Sequence, residues 1–181
     1  MVGLADKFAN AITTYALDRG AQRIVILNMP GVTNTPRFQM VLGGIAAAKG
    51  AQSRADAEAL FKSWIESFNA RLATRFAGNS KVAIVDFYTS FNNEVANPAQ
   101  YSLTNVTTPA CPITGLGSDG LPTYSFPTCT STALSAALSK GVTDPNWWKT
   151  YAFSDGFHPT PYGHQLVATA ISATLKSAGW I

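Results

Sequence analysis

An aspartate and a histidine three residues apart, Asp155 and His158, are the pair in this chain best suited to chemistry. Gly156 and Pro159 predict a tight turn around them, and a helix pattern follows directly behind. In acyl transfer, a histidine takes the proton of a nucleophile, and a carboxylate on its other ring nitrogen fixes the tautomer. The pair therefore predicts two-thirds of a serine-hydrolase triad. The alternative is an aspartate that caps a turn and a histidine that packs against the helix.

No serine stands out as the nucleophile of such a triad. Ser118 lies within the sequence Gly-Ser-Asp at residues 117–119, where a glycine-rich turn is the simpler interpretation. Ser154 directly precedes the aspartate, but the turn is expected to point its hydroxyl elsewhere. His164 falls inside the predicted helix and is expected to be a packed helix residue.

Two buried strands with a helix between them are expected to position the turn. Residues 23–29 and 81–88 are short apolar runs without alternation, as in strands covered on both faces. A helix predicted over residues 53–77 separates them, and Ser53 with Asp56 resembles a capping box. Strand, helix and strand of these lengths predict a parallel βαβ unit and an α/β fold.

The flanking segments complete the prediction of a single α/β domain over residues 1–181. Residues 3–19 predict a helix, whose expected buried face comprises Leu4, Phe8, Ala11, Ile12 and Tyr15. Residues 32–52 predict a loop with one short helix. Thr160 is expected to cap the last helix, with Pro161 at its first position. Three polar residues near the strand ends could face a cleft or merely stabilise turns: Asn28, Asn34 and Asp86.

Residues 89–150 predict a long loop insertion that covers or frames a site, with a helix suggested only over residues 130–139. Cys111 and Cys129 lie in this loop. They are interpreted as a disulfide that staples the loop, although two unrelated free thiols are the alternative. A disulfide would stabilise the fold by about 3 kcal/mol. It would also indicate an oxidising compartment, so the protein is expected to be periplasmic or secreted.

Two strands and three clear helices make only half of a doubly wound sheet. A two-stranded sheet would leave apolar strand edges and faces exposed to solvent. The domain is therefore expected to be incomplete on its N-terminal side.

Composition excludes several classes of function. Charged residues make up 13% of the chain, and its 13 lysines and arginines are scattered, so nucleic acid is not an expected partner. The apolar runs are far shorter than the roughly 20 residues that a membrane span requires. The two cysteines and two histidines lack paired ligand spacing, and no metal site is predicted.

The segment Ser-Asp-Gly-Phe-His-Pro at residues 154–159, followed by Gly-His-Gln-Leu at 163–166, resembles the last motif block of the SGNH (GDSL-type) hydrolases. Members of that family carry Asp-x-x-His-Pro there. The strand of residues 23–29 running into residues 30–36 is similar to their fourth-strand region. Residues 97–105 and the two cysteines resemble the secreted bacterial esterase and lipase branch. The resemblance spans nearly the whole chain, but only the C-terminal half of the family's domain.

This resemblance implies a flavodoxin-like parallel sheet with helices on both faces, and a carboxylester hydrolase acting on an ester or lipid by serine acyl transfer. His158 would be the general base and acid, oriented by Asp155, and no cofactor is implied. The family's Gly-Asp-Ser and Gly-x-Asn-Asp blocks have no counterpart in the sequence. The serine and the oxyanion donors are therefore expected upstream of Met1 or on a separate chain, and this chain alone is expected to be inactive or weakly active.

A different class of function is the alternative. A hydrolase-like module without catalytic activity could bind a lipid, a glycan or a protein partner through residues 89–150. Contact between Asp155 and His158 at the rim of an open pocket would favour the enzyme. A buried histidine bonded to backbone groups would favour the binding module.

Overall fold

The computed structural model describes residues 1–138 and 141–181. Helix α1 (Val2–Tyr15) leads into strand β1 (Ile24–Leu27), and helix α2 (Pro36–Arg75) connects β1 to strand β2 (Val82–Val85). The two strands pair in parallel over all four residues, which confirms the predicted βαβ unit. The chain continues through α3 (Phe87–Ala96), a hairpin of β3 (Gly115–Leu116) and β4 (Pro122–Thr123), α4 (Ser131–Ala136) and α5 (Pro161–Ser177). In the part of the chain so described, no helix combines the length and apolar character that crossing a bilayer requires.

Helix α2 begins much earlier than predicted, so the expectation of a loop over residues 32–52 is wrong. The helix starts at Pro36, and Gly50, with φ of 88°, divides it into two segments. Ser53 does not cap the second segment, because its hydroxyl donates to the carbonyl of Lys49 at 3.0 Å. Residues 43–51 are rich in alanine and glycine. Alanine favours helix but creates no apolar periodicity, so this part of α2 left no pattern to detect.

Helix α1 turns a different face to the core than its apolar pattern predicts. Ala5 and Ala9 are fully buried, whereas Leu4 and Tyr15 of the predicted face are 54% and 77% exposed. Alanine side chains let two helices approach closely. Asp6 fixes the rotation of α1, because its carboxylate accepts hydrogen bonds from two arginines of α2 at 2.8 and 2.9 Å. Several large apolar side chains of α1 therefore remain on the surface.

The two strands are covered unequally. One face of the sheet carries the main core, in which Ile26 packs with α1 and α2 through Ala5, Ala9, Phe68, Leu72 and Phe76. On the other face Val85 is buried and α5 packs against β2, but Val25 and Leu27 of β1 are each 37% exposed. Within the described residues, β1 pairs with β2 only. One edge and part of one face of β1 are therefore open.

Helix α3 occupies the beginning of the range 89–150, where the sequence predicts loop. Asp86 caps this helix, since its carboxylate accepts the amide proton of Thr89 at 3.1 Å. The apolar residues of α3 pack into a separate cluster around Phe91 and Phe153 rather than against the sheet. Ten residues give too short a window for the apolar period to stand out among the surrounding asparagines and threonines.

The predicted disulfide is present and joins Cys111 to Cys129, with their Cα atoms 5.3 Å apart. Leu134 of α4 and Trp148 pack around it. The indole of Trp147 donates to the carbonyl of Leu134 at 3.0 Å, which holds the return of the segment against α4. The helix predicted over residues 130–139 is observed as α4, and Ser139 lies outside the described residues.

Candidate active site

Residues 153–159, called the Asp-His turn below, form a tight hairpin directly before α5. Phe153 and Pro159 pair as an antiparallel bridge, and the amide of Ser154 donates to the carbonyl of His158 at 2.8 Å. Phe153 is 1% exposed and meets the ring of Phe91 edge-on, with centroids 5.9 Å apart. The buried phenylalanine anchors the turn in the core, residues 154–156 are buried with it, and Phe157 and His158 at its tip are exposed.

Neighbouring segments hold the Asp-His turn from two sides. The amides of Ala110 and Cys111 donate to two carbonyls of the turn at 2.8 Å, which connects it to the disulfide. Behind it, α5 begins as predicted: Pro161 lies in its first turn, and the hydroxyl of Thr160 accepts the amide proton of Gly163 at 3.0 Å. The turn therefore has little freedom to change its conformation.

Asp155 and His158 contact each other directly. Nδ1 of His158 lies 2.7 Å from Oδ2 of Asp155. The other carboxylate oxygen accepts the amide protons of Phe157 and His158 at 2.9 and 2.8 Å, so the carboxylate plane is fixed by three hydrogen bonds. The Asp155 side chain is 7% exposed and that of His158 is 50% exposed. Nδ1 of the imidazole is thus engaged by the carboxylate, and the half-exposed ring leaves Nε2 free for another partner, as a general base requires.

The serines considered from the sequence do not meet this imidazole. Ser154 is buried, and its hydroxyl donates to the carbonyl of Pro159 at 3.0 Å. Ser118 lies exposed in the turn between β3 and β4, and no hydrogen bond joins it to His158 in the described part of the chain. Among the described residues, neither hydroxyl is therefore hydrogen-bonded to the imidazole.

Two clefts meet at the His158 side chain. The first has a volume of about 260 Å³ and extends towards Cys129 and His164. The second, of about 220 Å³, extends towards Tyr124. Phe126 lines both clefts, is 69% exposed, and places its ring centroid 5.6 Å from that of His158. A carbonyl compound bound in either cleft would have access to the imidazole, with aromatic surface beside it.

His164 differs from its predicted role. It is exposed and lines the first cleft together with His158, instead of packing inside the protein. Position 164 lies in the first turn of α5, and this turn opens onto the cleft. The sequence predicted that His164 lies in a helix, but it did not indicate that the first turn of this helix borders a cleft.

An ion pair lies beside the second cleft. It joins Arg37, at the start of α2, to Asp119 in the β3–β4 turn. The amide of Arg37 also donates to the carbonyl of Gly156 at 2.8 Å. Burial raises the pKa of Tyr124, and the negative charge of Asp155 raises it further, while Arg37 opposes both effects. No signal in the sequence indicated Arg37, Tyr124 or Phe126, because only the tertiary fold brings them to the Asp-His turn.

Three polar residues at the strand ends have structural roles. The amide group of Asn28 donates to Asp86 at 3.0 Å, and that of Asn34 donates to Asn92 at 2.9 Å. Burial alone would raise the pKa of Asp86, but hydrogen bonds from Asn28 and Thr89 outweigh it, and the pKa is lowered. These residues join β1 to α3. Over the described ranges, no group of three or more acidic, cysteine or histidine side chains is arranged to hold a metal ion.

The chain thus combines a mixed α/β fold with an Asp-His turn directly before its last helix. The model of the GDSL-like lipase/acylhydrolase family matches residues 3–171. The chain therefore belongs to the GDSL-like lipase/acylhydrolase (SGNH) family, which confirms the resemblance noted in the sequence. The family supports acyl-ester hydrolysis as the general activity. None of the curated proteins matches the chain.

Gly163 is expected to be indispensable for the contact between α5 and the Asp-His turn. A Cβ at this position would lie 2.8 Å from Cβ of Pro159 and 2.9 Å from the carbonyl oxygen of Ala152. We expect Gly163→Ala to lower the free energy of unfolding by about 1–3 kcal/mol, as overpacking does. Guanidinium denaturation followed by circular dichroism measures this change.

Gly43→Ala is the matched control, since Gly43 also lies in a helix. No heavy atom of the described residues lies within 4 Å of its added Cβ. This substitution is expected to stabilise by up to about 1 kcal/mol, because alanine is the better helix former. Equal effects of the two substitutions would contradict the close approach at Gly163.

Proposed function

We propose that this chain carries the general base and acid of a carboxylester hydrolase. His158 has that role, and Asp155 orients it. The observation that supports this assignment is the 2.7 Å contact between Nδ1 and the buried carboxylate, with the ring half exposed at two clefts. Membership of the GDSL-like family supports it independently. The substrate is an ester or lipid whose acyl or alcohol group lies along Phe126 and Phe157.

The reaction proceeds by acyl transfer through a serine. Nε2 of His158 takes the serine proton as the serine oxygen attacks the ester carbonyl. The imidazolium, stabilised by Asp155, returns the proton to the departing alkoxide, and an acyl-enzyme and an alcohol result. A water molecule then loses a proton to the same nitrogen and attacks the acyl-enzyme. The products are a carboxylic acid, the regenerated serine and the neutral imidazole.

The serine and the oxyanion donors are proposed to come from outside these 181 residues, either upstream in the same protein or on a separate chain. The missing Gly-Asp-Ser and Gly-x-Asn-Asp blocks support this proposal. So does the open edge of β1, where Val25 and Leu27 are exposed. Further parallel strands added at this edge would pair with its backbone groups, the helices that connect those strands would cover both side chains, and a flavodoxin-like sheet would result. Residues 1–181 then form one α/β domain with that segment, and the described residues of the range 89–150 that line the two clefts frame its site.

The disulfide supports a proposal for the compartment. A bridge between Cys111 and Cys129 persists in an oxidising environment, which supports the proposal that the protein is periplasmic or secreted. The bridge lies next to the candidate site, because Cys129 lines the first cleft. Reduction in a cytosol would loosen that wall of the cleft.

Hydrolysis of p-nitrophenyl butyrate tests this proposal. The chain alone is expected to show background turnover. The chain fused behind the Gly-Asp-Ser-bearing half of another GDSL-like hydrolase is expected to release nitrophenol, and to lose this activity when either the fused serine or His158 is replaced by alanine. Missing oxyanion donors cost about 3 kcal/mol each, which explains the expected inactivity of the isolated chain.

Two outcomes would overturn the proposal. Robust turnover by the isolated chain that is lost on Ser118→Ala would place the nucleophile in the β3–β4 turn. A folded fusion protein without activity would favour the non-catalytic binding module. Binding of a fatty-acid ester by the isolated chain, undiminished in His158→Ala, would support that alternative directly.

A further inference from the structure

A cavity of about 240 Å³ lies between α3 and α5, lined by none of the residues of the Asp-His turn. Leu166 and two alanines of α5 provide apolar walls, and Tyr101 adds an aromatic side chain. Thr169, on its lining, is exposed, so the cavity opens on the protein surface. Its shape and wall chemistry suit a small, largely apolar molecule.

A single carboxyl group, that of Glu94, interrupts this apolar lining. Glu94 is 7% exposed, and no hydrogen bond or ion pair reaches its carboxylate among the described residues. Three side chains of the lining carry a hydroxyl group. Ser90 donates to the carbonyl of Asp86 at 3.0 Å and Thr169 donates to that of Gln165 at 2.9 Å, and among the described residues no hydrogen bond joins the phenol of Tyr101 to Glu94. Burial raises the pKa of Glu94 to about 7.

A largely buried carboxylate without a partner is costly, and uptake of a proton or pairing with a cation lowers this cost. The candidate catalytic step uses neither Glu94 nor its cavity. One carboxylate offers too few ligands for a metal ion. An ammonium group can instead pair with one carboxylate and donate its other N–H groups to water at the exposed side of the cavity, while apolar or aromatic walls surround its carbon chain. The cavity therefore matches an organic cation better than a metal ion or a neutral molecule.

We propose that the cavity between α3 and α5 binds a small organic cation with an apolar body, such as a primary alkylammonium ion, whose ammonium group pairs with the carboxylate of Glu94. The alkyl chain lies against Leu166 and the alanines of α5. Tyr101 is the other titratable side chain on the described lining. The site is independent of the proposed ester hydrolysis.

Titration of the whole chain with n-butylammonium chloride at pH 8, followed by NMR of the α3 and α5 amides, tests the proposal. Binding is expected to saturate and to be at least tenfold tighter than that of n-butanol, the neutral analogue. Glu94→Gln is expected to abolish this preference for the cation. Glu58→Gln is the matched control, because Glu58 lies in α2 and pairs with Lys62; it should bind as the unmodified chain does. Equal affinity for the cation and the alcohol, or an unchanged preference in Glu94→Gln, would overturn the proposal.

Measuring the stability of the Glu94→Gln variant distinguishes loss of binding from loss of the folded structure. Because the folded protein raises the pKa of Glu94 from its ordinary value of 4.5 to about 7, the group costs nothing below pH 4.5 and destabilises increasingly up to pH 7. The melting temperature of Glu94→Gln should therefore equal that of the unmodified chain at pH 4 and exceed it at pH 8. The same difference at both pH values would mean that the carboxyl group is not perturbed, and would remove the basis of the site.

Discussion

Replacement of Asp155 by asparagine is expected to lower kcat for ester hydrolysis about 10⁴-fold in the catalytically complete form of the protein. In the unmodified chain, the carboxylate of Asp155 accepts hydrogen bonds from Nδ1 of His158 at 2.7 Å and from two backbone amides. An asparagine amide can keep the backbone contacts through its oxygen, but its NH₂ group then points at Nδ1 as a donor. The imidazole is forced to carry its proton on Nε2, where the serine proton has to be accepted. Initial rates with p-nitrophenyl butyrate, measured for the fusion protein described above, give the change.

Two controls test whether the loss of kcat arises from the tautomer of His158. ¹⁵N chemical shifts of His158 should show the proton on Nδ1 in the unmodified chain and on Nε2 in Asp155→Asn, a readout that needs no nucleophile. His164→Ala removes the other histidine of the first cleft, which has no carboxylate partner among the described residues, and kcat should change at most a few-fold. A loss of kcat for His164→Ala as large as that for Asp155→Asn would mean that His164 contributes to proton transfer, and would contradict the assignment of His158 as the general base.

Loss of the disulfide is expected to have the second largest effect. The bridge closes a loop with a sequence separation of 18 residues, and opening it costs about 3 kcal/mol in the chain-entropy model. The Cys111→Ala/Cys129→Ala double variant should therefore unfold at a clearly lower guanidinium concentration. The loss should extend to the candidate site, because the amide of Cys111 donates to the carbonyl of Ser154 and Cys129 lines the first cleft.

The unmodified chain treated with dithiothreitol is the control for the double variant. If the bridge acts by constraining the unfolded chain, the reduced protein and the variant should have similar unfolding midpoints, both below that of the oxidised protein. A midpoint that is independent of reductant would contradict a stabilising disulfide. A reduced protein that is stable while the double variant is not would assign the loss to packing of the sulfur atoms.

Local features of this chain were predictable because they depend on residues close in sequence. Asp155 and His158 are three residues apart, so a tight turn suffices to bring their side chains together. The cap of α5 depends on Thr160 and the amide three residues later. The parallel pairing of β1 and β2 followed from two short apolar runs separated by a helix, a spacing that permits little else.

The errors have a common physical cause. The first half of α2 is stabilised by alanine and by its position in the fold, neither of which produces an apolar stripe. For α1 the apolar stripe was real but faces solvent, because Asp6 binds arginines of α2 more than 60 residues away. In both cases, contacts between distant segments outweighed the local pattern.

The family, the parallel βαβ unit and the Asp155–His158 pair could be predicted without a structure, because each depends on short stretches of neighbouring residues. The tertiary structure decided what surrounds that pair: Phe126 and Tyr124 beside it, the Cys129 wall of the first cleft, and the exposed position of His164. It also left Glu94 without a hydrogen-bond or ion-pair partner among the described residues, in a cavity between two helices that are far apart in sequence. These features depend on which segments pack together, and packing is a property of the whole chain rather than of any local pattern.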